Sequence, residues 1–532
     1  MKMFYFSTIA IVGFFCASIS VAIAQVDHKS TDQKFTSALQ IIDYAYVDTV
    51  NEAKLTEKAI TAMLKDLDPH SVYLSKSEVK EANEPLQGNF EGIGVQFNLF
   101  KDTILVVSAV PGGPSEKLGI MAGDKIVKIN GEDATGSKIT NDYVLKKLRG
   151  DKGTKVDVSI FRKGKKDLLD FTITRDKIPI TSIDATFMAS PEIGYIRLNR
   201  FGQTTMQEFH TSMKTLFDKG MKSLILDLRG NGGGYLNTAI DLADEFLEAE
   251  KLIVYTEGIH SPMQKYDATS KGSFEKGKLV VLIDEGSASA SEIVSGALQD
   301  WDRGLIIGRR SFGKGLVQRP YELTDGSVIR LTTARYHTPT GRCIQKPYDE
   351  GAEKYFKDLT NRYKNGELEH ADSIHFPDSL KYYTPGKRLV YGGGGIMPDL
   401  FIPYDTSKIS DYYTKLYSKG LFNQYTLYLM DKGRDGYKKK YPTFEIFDSK
   451  FVIDNDFLNS FTDYAEKEGV KKDEKGLELS KSYITNQLKA LMARNIFDIN
   501  ALFQVSVEND ETYKKAVDVL KDGSFDKYKI KY

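Results

Sequence analysis

Two residues of the 532-residue chain carry its strongest chemical signal: Ser289, in the small-residue loop GSASASEI, and Lys314, held between two glycines in FGKGLVQ. A serine hydroxyl beside an uncharged amine is a nucleophile with its own general base, and such a pair hydrolyses amide bonds without histidine, metal or cofactor. The amine must then be neutral near pH 7. That means lowering an ordinary lysine pKa of about 10.4 toward 7, at a cost on the order of 4 kcal/mol. Phe312, Leu316 and Val317 are apolar neighbours that could supply the necessary burial. Gln318 shares a face with Lys314 in either a helix or a strand, and its amide is able to bond the amine and aim it.

The elements around these residues must bring them together. Strand-like KLVVLID (278–284), loop EGSAS and helix-like SEIVSGALQD put Ser289 at a strand-to-helix turn, where the side chain is exposed while its backbone is fixed. The unpaired amides at the start of that helix favour a developing oxyanion. The competing reading is an ordinary helix cap, since Ser289 and Glu292 have capping-box spacing. A second loop, DLRGNGGG (227–234), ends another strand and is flexible enough to offer amides. Gly308, Gly313 and Lys314 imitate a phosphate-binding loop, but Gly315 stands where its magnesium-binding hydroxyl belongs. Nucleotide binding is therefore a minor alternative. The seven histidines include no H-E-x-x-H pair and no Cys/His ligand set, so neither metal nor cofactor is expected. His337, in ARYHTPTG, is the fallback base for Ser289.

On a wider scale, 73 basic against 73 acidic side chains give no general field for nucleic acid, and none is expected as a partner. Residues 1–24 read as an export signal: Lys2, an apolar run, then Ala22-Ile23-Ala24 as a small-x-small cleavage site. A retained anchor is the alternative, because about 20 apolar residues can span a bilayer. The expected location is periplasmic or cell-envelope. Beyond the leader Cys343 is the only cysteine, so the exported chain would hold itself together without an intramolecular disulfide.

Residues 25–85 have helical spacing, with Phe35, Leu39, Ile42 and Ala45 on one face, and LDPHSVYL (67–74) punctuates them. Such a small element packs on a larger body or on a partner copy. From 86 to 177 short β-rich runs alternate with glycine turns around one helix, NDYVLKKLRG. With EGIGV (91–95) and PGGPSEKLGIMAGDKIVKING (111–131) in order, this block resembles a PDZ domain. Gly92, Ile93, Gly94 and Val95 would then cradle a terminal carboxylate while the peptide adds as a strand. Residues 178–345 alternate strand and helix in an α/β rhythm, a polar insertion-like stretch follows from about 346 within an expected core of 178–400, and 401–532 is mostly helix-former sequence of open role.

LDPHSVYL, the PDZ-like block, DLRGNGGG, GSASASEIVSGALQD, GRRSFGKGLVQ and TPTGRCIQ, in this order, make the chain similar to the carboxyl-terminal processing peptidases, also called tail-specific proteases. The resemblance implies a multi-domain α/β protein: a crotonase-like (ClpP/crotonase) protease core, a PDZ domain that captures substrate C-termini and gates the site, and helical N- and C-terminal regions. It implies Ser289 as nucleophile, Lys314 as base, Gln318 as the residue orienting the lysine, and oxyanion donors from Ala290 and a glycine of Gly232 to Gly234, with Gly234 preferred. Arg149 is a candidate link between tail binding and gating, against a plain solvated arginine. Substrates would be exported, misfolded or cell-envelope proteins with free C-termini. An activating partner and a homodimer through the terminal helices are further expectations. A catalytically silent PDZ scaffold is the alternative from another class.

Overall fold

The computed structural model describes residues 29–100 and 102–531, so the expected leader lies outside the described residues. Contacts divide the chain into a unit ending at Met63 and one running from Leu64 onward. The first carries the helix Lys29–Ala45 and most of Glu52–Lys65. Its amphipathic spacing does give helix, with Phe35 and Ile42 about two-fifths exposed (42% and 41%).

The second unit is built on a six-stranded sheet. In order across it run Ile183–Ser190, Ile193–Leu198, Ser223–Asp227, Leu279–Ile283, Leu305–Gly308 and Leu400–Phe401. Only the first pair is antiparallel. The central strand LVVLI is buried throughout, as expected of a parallel strand covered on both faces, which has no polar side to present. One face packs against the helices Thr205–Asp218, Leu236–Asp244 and Ala290–Asp300 through Phe209, Leu242 and Val294. The other is covered from the far end of the chain, by Ala516, Val519 and Leu520 of the helix Glu511–Lys521 and by Phe525. Each such large apolar side chain contributes roughly 1.5–3 kcal/mol.

A second, five-stranded sheet joins Val72–Leu74, Leu252–Gly258, Ser261–Asp267 and Leu316–Glu322 around the long strand Val328–His337. The β-rich block forms its own antiparallel sheet of six strands with a separate core, into which the helix Asn141–Leu148 contributes Val144 and Leu148. Its entrance and exit strands, Asn89–Gly92 and Asp176–Pro179, pair with each other and form a two-stranded stem. Downstream, the helices from Asp411 to Ser506 build two further apolar clusters. Leu427 from these helices packs with Phe100, Leu105 and Val107 of the β-rich block. The chain beyond residue 400 therefore serves two bodies: its middle forms clusters of its own, and its end covers one face of the six-stranded sheet. No described helix is long and apolar enough to cross a membrane.

Candidate active site

Ser289 stands between the strand Leu279–Ile283 and the helix Ala290–Asp300, with φ 55° and ψ −111°. A non-glycine residue at positive φ costs of order 1–3 kcal/mol and persists only where its surroundings enforce it. Here they do. Ala288 N–H donates to Asn231 O at 3.0 Å, Ser291 Oγ donates to the same carbonyl at 2.8 Å, and Ser287 Oγ donates to Leu228 O at 2.8 Å. The DLRGNGGG loop is thereby tied to the serine turn. A Cβ on Gly233 would lie 2.9 Å from Ser289 Cβ and 2.8 Å from Ala288 O, so only glycine permits the approach.

Glu292 does more than cap a helix. Its buried carboxylate accepts from Ser289 N (2.8 Å) and, across the fold, from Ser311 Oγ (2.5 Å), Gly313 N (2.7 Å) and Lys314 N (2.9 Å). One side chain thus fixes the backbones of both chemical segments. Burial pushes its carboxyl above the ordinary range, while these four donors pull it back. A second tie is Tyr336, whose hydroxyl bonds Lys314 O at 2.5 Å and Ser289 O at 3.2 Å. The outer side of the lysine loop is held by Arg362, which donates to Ser311 O at 2.8 Å and Phe312 O at 3.1 Å.

The Lys314 amine is held below the ordinary lysine range, first by burial and then by the Arg330 guanidinium, with Glu292 and Asp68 opposing. Ser289 and Lys314 line one cavity of about 380 Å³. Ala290, Gly232 and Gly234 line it too, and Leu236, Ile293, Leu316 and Val328 give it an apolar wall. Of the three candidate glycines, Gly233 already donates its amide to Asn231 Oδ1 at 2.9 Å.

Gln318 also lines the cavity, but its Nε2 bonds Thr332 Oγ1 at 3.2 Å, and among the described residues its side chain bonds no amine. The face expected to be shared with Lys314 assumes regular alternation. Lys314 precedes the strand, and a register shift between Val317 and Gln318 breaks the alternation. His337 stacks on Tyr255 with ring centroids 4.6 Å apart, bonds Gly341 O at 3.1 Å and does not line the cavity. The lysine segment leads from the strand Leu305–Gly308 into another strand, without the helix that a phosphate loop requires.

Asp68 and His70, in the LDPHSVYL motif to which the sequence assigned no chemistry, sit electrostatically close to Lys314. The His70 imidazole is lowered to about 4, by burial first and then by Lys314 and Lys346, with Asp68 opposing. Its Nε2 is 2.9 Å from Tyr355 Oη. In the β-rich block Gly92–Val95 lead into Val95–Phe100, an edge strand whose outer side can accept an added strand. Arg149 is not merely solvated: it pairs with Glu84 at 2.8 Å and lies 4.6 Å from the Phe90 ring centroid.

Residues 192–352 match Peptidase family S41, and residues 92–173 match the PDZ domain. Residues 18–78 match the activating protease CtpB N-terminal domain, and residues 412–498 match a family of unknown function. The carboxy-terminal-processing protease of Bartonella bacilliformis is 35% identical over 346 residues, 63% of this chain and 79% of that protein. The chain belongs to the carboxy-terminal processing proteases. A second member, the carboxy-terminal processing protease CtpB of Bacillus subtilis, is 36% identical over 332 residues, covering 61% of this chain and 68% of its own length. The protein is accordingly a serine-type peptidase of multi-domain α/β build carrying a PDZ domain, with peptides as substrates. The nucleotide-binding and silent-scaffold readings fall away.

Proposed function

We propose that this peptidase cleaves peptide bonds near the free C-termini of exported proteins, with Ser289 as nucleophile and neutral Lys314 as its base. The observation carrying this reading is the joint placement of the two segments: one buried carboxylate, Glu292, holds both backbones, and both residues line one cavity. Lys314 takes the serine proton as Oγ attacks the carbonyl, then returns it to the leaving amine. The acyl-enzyme is hydrolysed by water that the same amine activates. Ala290 N–H, at the start of its helix, and Gly234 N–H are the proposed oxyanion donors. Gln318 orients the amine.

Gly92–Val95 would receive the tail carboxylate, and the pair Arg149–Glu84 supports a link from there to the cavity, since Glu84 shares the helix Lys76–Gln87 with the cavity-lining Val79, Asn83 and Leu86. The proposed division is leader 1–24, helical 25–85, PDZ 86–177, protease core 178–400 and helical 401–532. Labelled peptides with free and amidated C-termini, given to wild type, Ser289→Ala and Lys314→Ala, test the reading. Tail-dependent cleavage lost in both variants is expected. Cleavage surviving Ser289→Ala overturns it.

A further inference from the structure

The LDPHSVYL motif precedes the PDZ domain, far in sequence from both chemical loops, yet its turn docks beside the lysine. Asp68 Oδ1 accepts from His70 N (2.7 Å), Ser71 N (3.0 Å) and Thr332 Oγ1 (3.0 Å), and its Oδ2 accepts from Ser71 Oγ (2.5 Å). Ser71 Oγ in turn accepts from Thr332 N at 3.1 Å. Thr332 sits on the strand Val328–His337 directly across from Gln318.

The chemistry of these groups fixes a direction. Oδ1 already takes two backbone N–H groups, so toward Thr332 it can only accept. A hydroxyl has a single proton. With that proton given to Asp68, Thr332 Oγ1 is an acceptor toward Gln318, and Gln318 must present its NH2 there, as the 3.2 Å contact from Nε2 has it. Gln318, which lines the cavity with Lys314, then has its carbonyl oxygen left, beside the second N–H of an NH2 group already anchored on Thr332. The distinction matters for a neutral amine, which has two N–H groups and one lone pair. A carbonyl engages an N–H and leaves the lone pair for the serine proton, whereas an amide NH2 would occupy the lone pair and silence the base.

We infer that Asp68 and Thr332 are positioning residues, a hydrogen-bond relay that locks the Gln318 amide in the one orientation that keeps the Lys314 lone pair free for Ser289. The relay rests on the proposed roles of Ser289, Lys314 and Gln318. It makes the turn before the PDZ domain part of the catalytic apparatus without touching substrate. The charged and titratable groups facing Lys314 are Arg330 on the same strand as Thr332, Glu292 on the serine helix, and Asp68 and His70 in the docked turn.

Thr332→Val keeps the β-branched shape and removes the relay, freeing the Gln318 amide to flip. The expected result is a fall in kcat on the order of tenfold, the scale of one hydrogen bond, with KM unchanged. The acid limb of the pH–kcat profile should move to lower pH, since an ammonium that loses its carbonyl acceptor ionises more easily. Thr332→Ser should restore both. In a Gln318→Ala background Thr332→Val should add nothing, because the relay acts only through that amide. An unchanged rate and profile in Thr332→Val, or a full additional loss in the Gln318→Ala background, overturns the relay. Ser289→Ala is assayed alongside. If it still cleaves, the nucleophile assignment fails and takes the relay with it, while an inactive Ser289→Ala beside an indifferent Thr332→Val removes the relay alone.

Discussion

Two glycine loops present backbone amides in this molecule, and their surroundings differ. In DLRGNGGG, a Cβ on Gly234 (φ 153°) would fall 2.1 Å from the backbone oxygen of Phe201, and one on Gly233 (φ 102°) would meet the serine turn itself. In the PDZ loop, a Cβ on Gly94 (φ 73°) would come 2.9 Å from Ile178 Cδ1, the far end of a side chain. The first loop is packed backbone against backbone and has nowhere to move. The second is buried as well, but its tightest neighbour is the tip of a side chain and not backbone. On the roles proposed for them, the loop that would stabilise charge in one geometry is held by backbone neighbours, whereas the loop that would receive a peptide is held most closely by a side chain.

The contrast breaks most readily at Gly233. Gly233→Ala should lose cleavage altogether and several kcal/mol of stability, because strain at positive φ adds to a clash with Ser289; activity and thermal melting measure both. If Gly233→Ala stays active, the DLRGNGGG loop is less constrained than its backbone contacts imply. Glu292→Gln comes next. Turning an acceptor with four donors into a group with N–H of its own leaves buried amides unpaired, for about 2–4 kcal/mol, and should lower kcat by orders of magnitude. Denaturant melts and steady-state kinetics test this. Gly94→Ala is milder, of order 1–2 kcal/mol locally, and should weaken binding of free-carboxylate peptides while kcat at saturation persists; peptide titration decides.

A separate effect concerns acid stability. The folded His70 imidazole titrates near 4 instead of 6.5. Between those values the unfolded chain binds the extra proton, so stability is present above pH 6.5 and declines as pH falls toward 4. His70→Gln should flatten that part of the curve of melting temperature against pH, and an unchanged slope would assign it elsewhere.

What the sequence made legible was local. A continuous apolar strand, a small-residue turn and an amphipathic helix put Ser289 at an elbow, because strand and helix periods lie within a few residues. The capping-box spacing flagged Glu292, but one oxygen reaching Ser311 and Gly313 is a tertiary contact with no local period. The LDPHSVYL motif marked the family, but that Asp68 and His70 lie near Lys314 was hidden for the same reason. Gln318 shows the converse: an i, i+4 argument holds for a regular strand, and a register shift just before the residue sent its amide to Thr332. The helical tail gave no sign that its last helix would cover one face of the six-stranded sheet, since an apolar stripe names no partner.

The central claim is a serine activated by an uncharged lysine. Mass spectrometry of the enzyme labelled by a serine-directed fluorophosphonate, followed against pH, tests it most directly. One adduct on the peptide containing Ser289, forming faster as pH rises through a single ionisation and absent in Lys314→Ala, is the expected result. Labelling at another residue, or at an undiminished rate in Lys314→Ala, would contradict it.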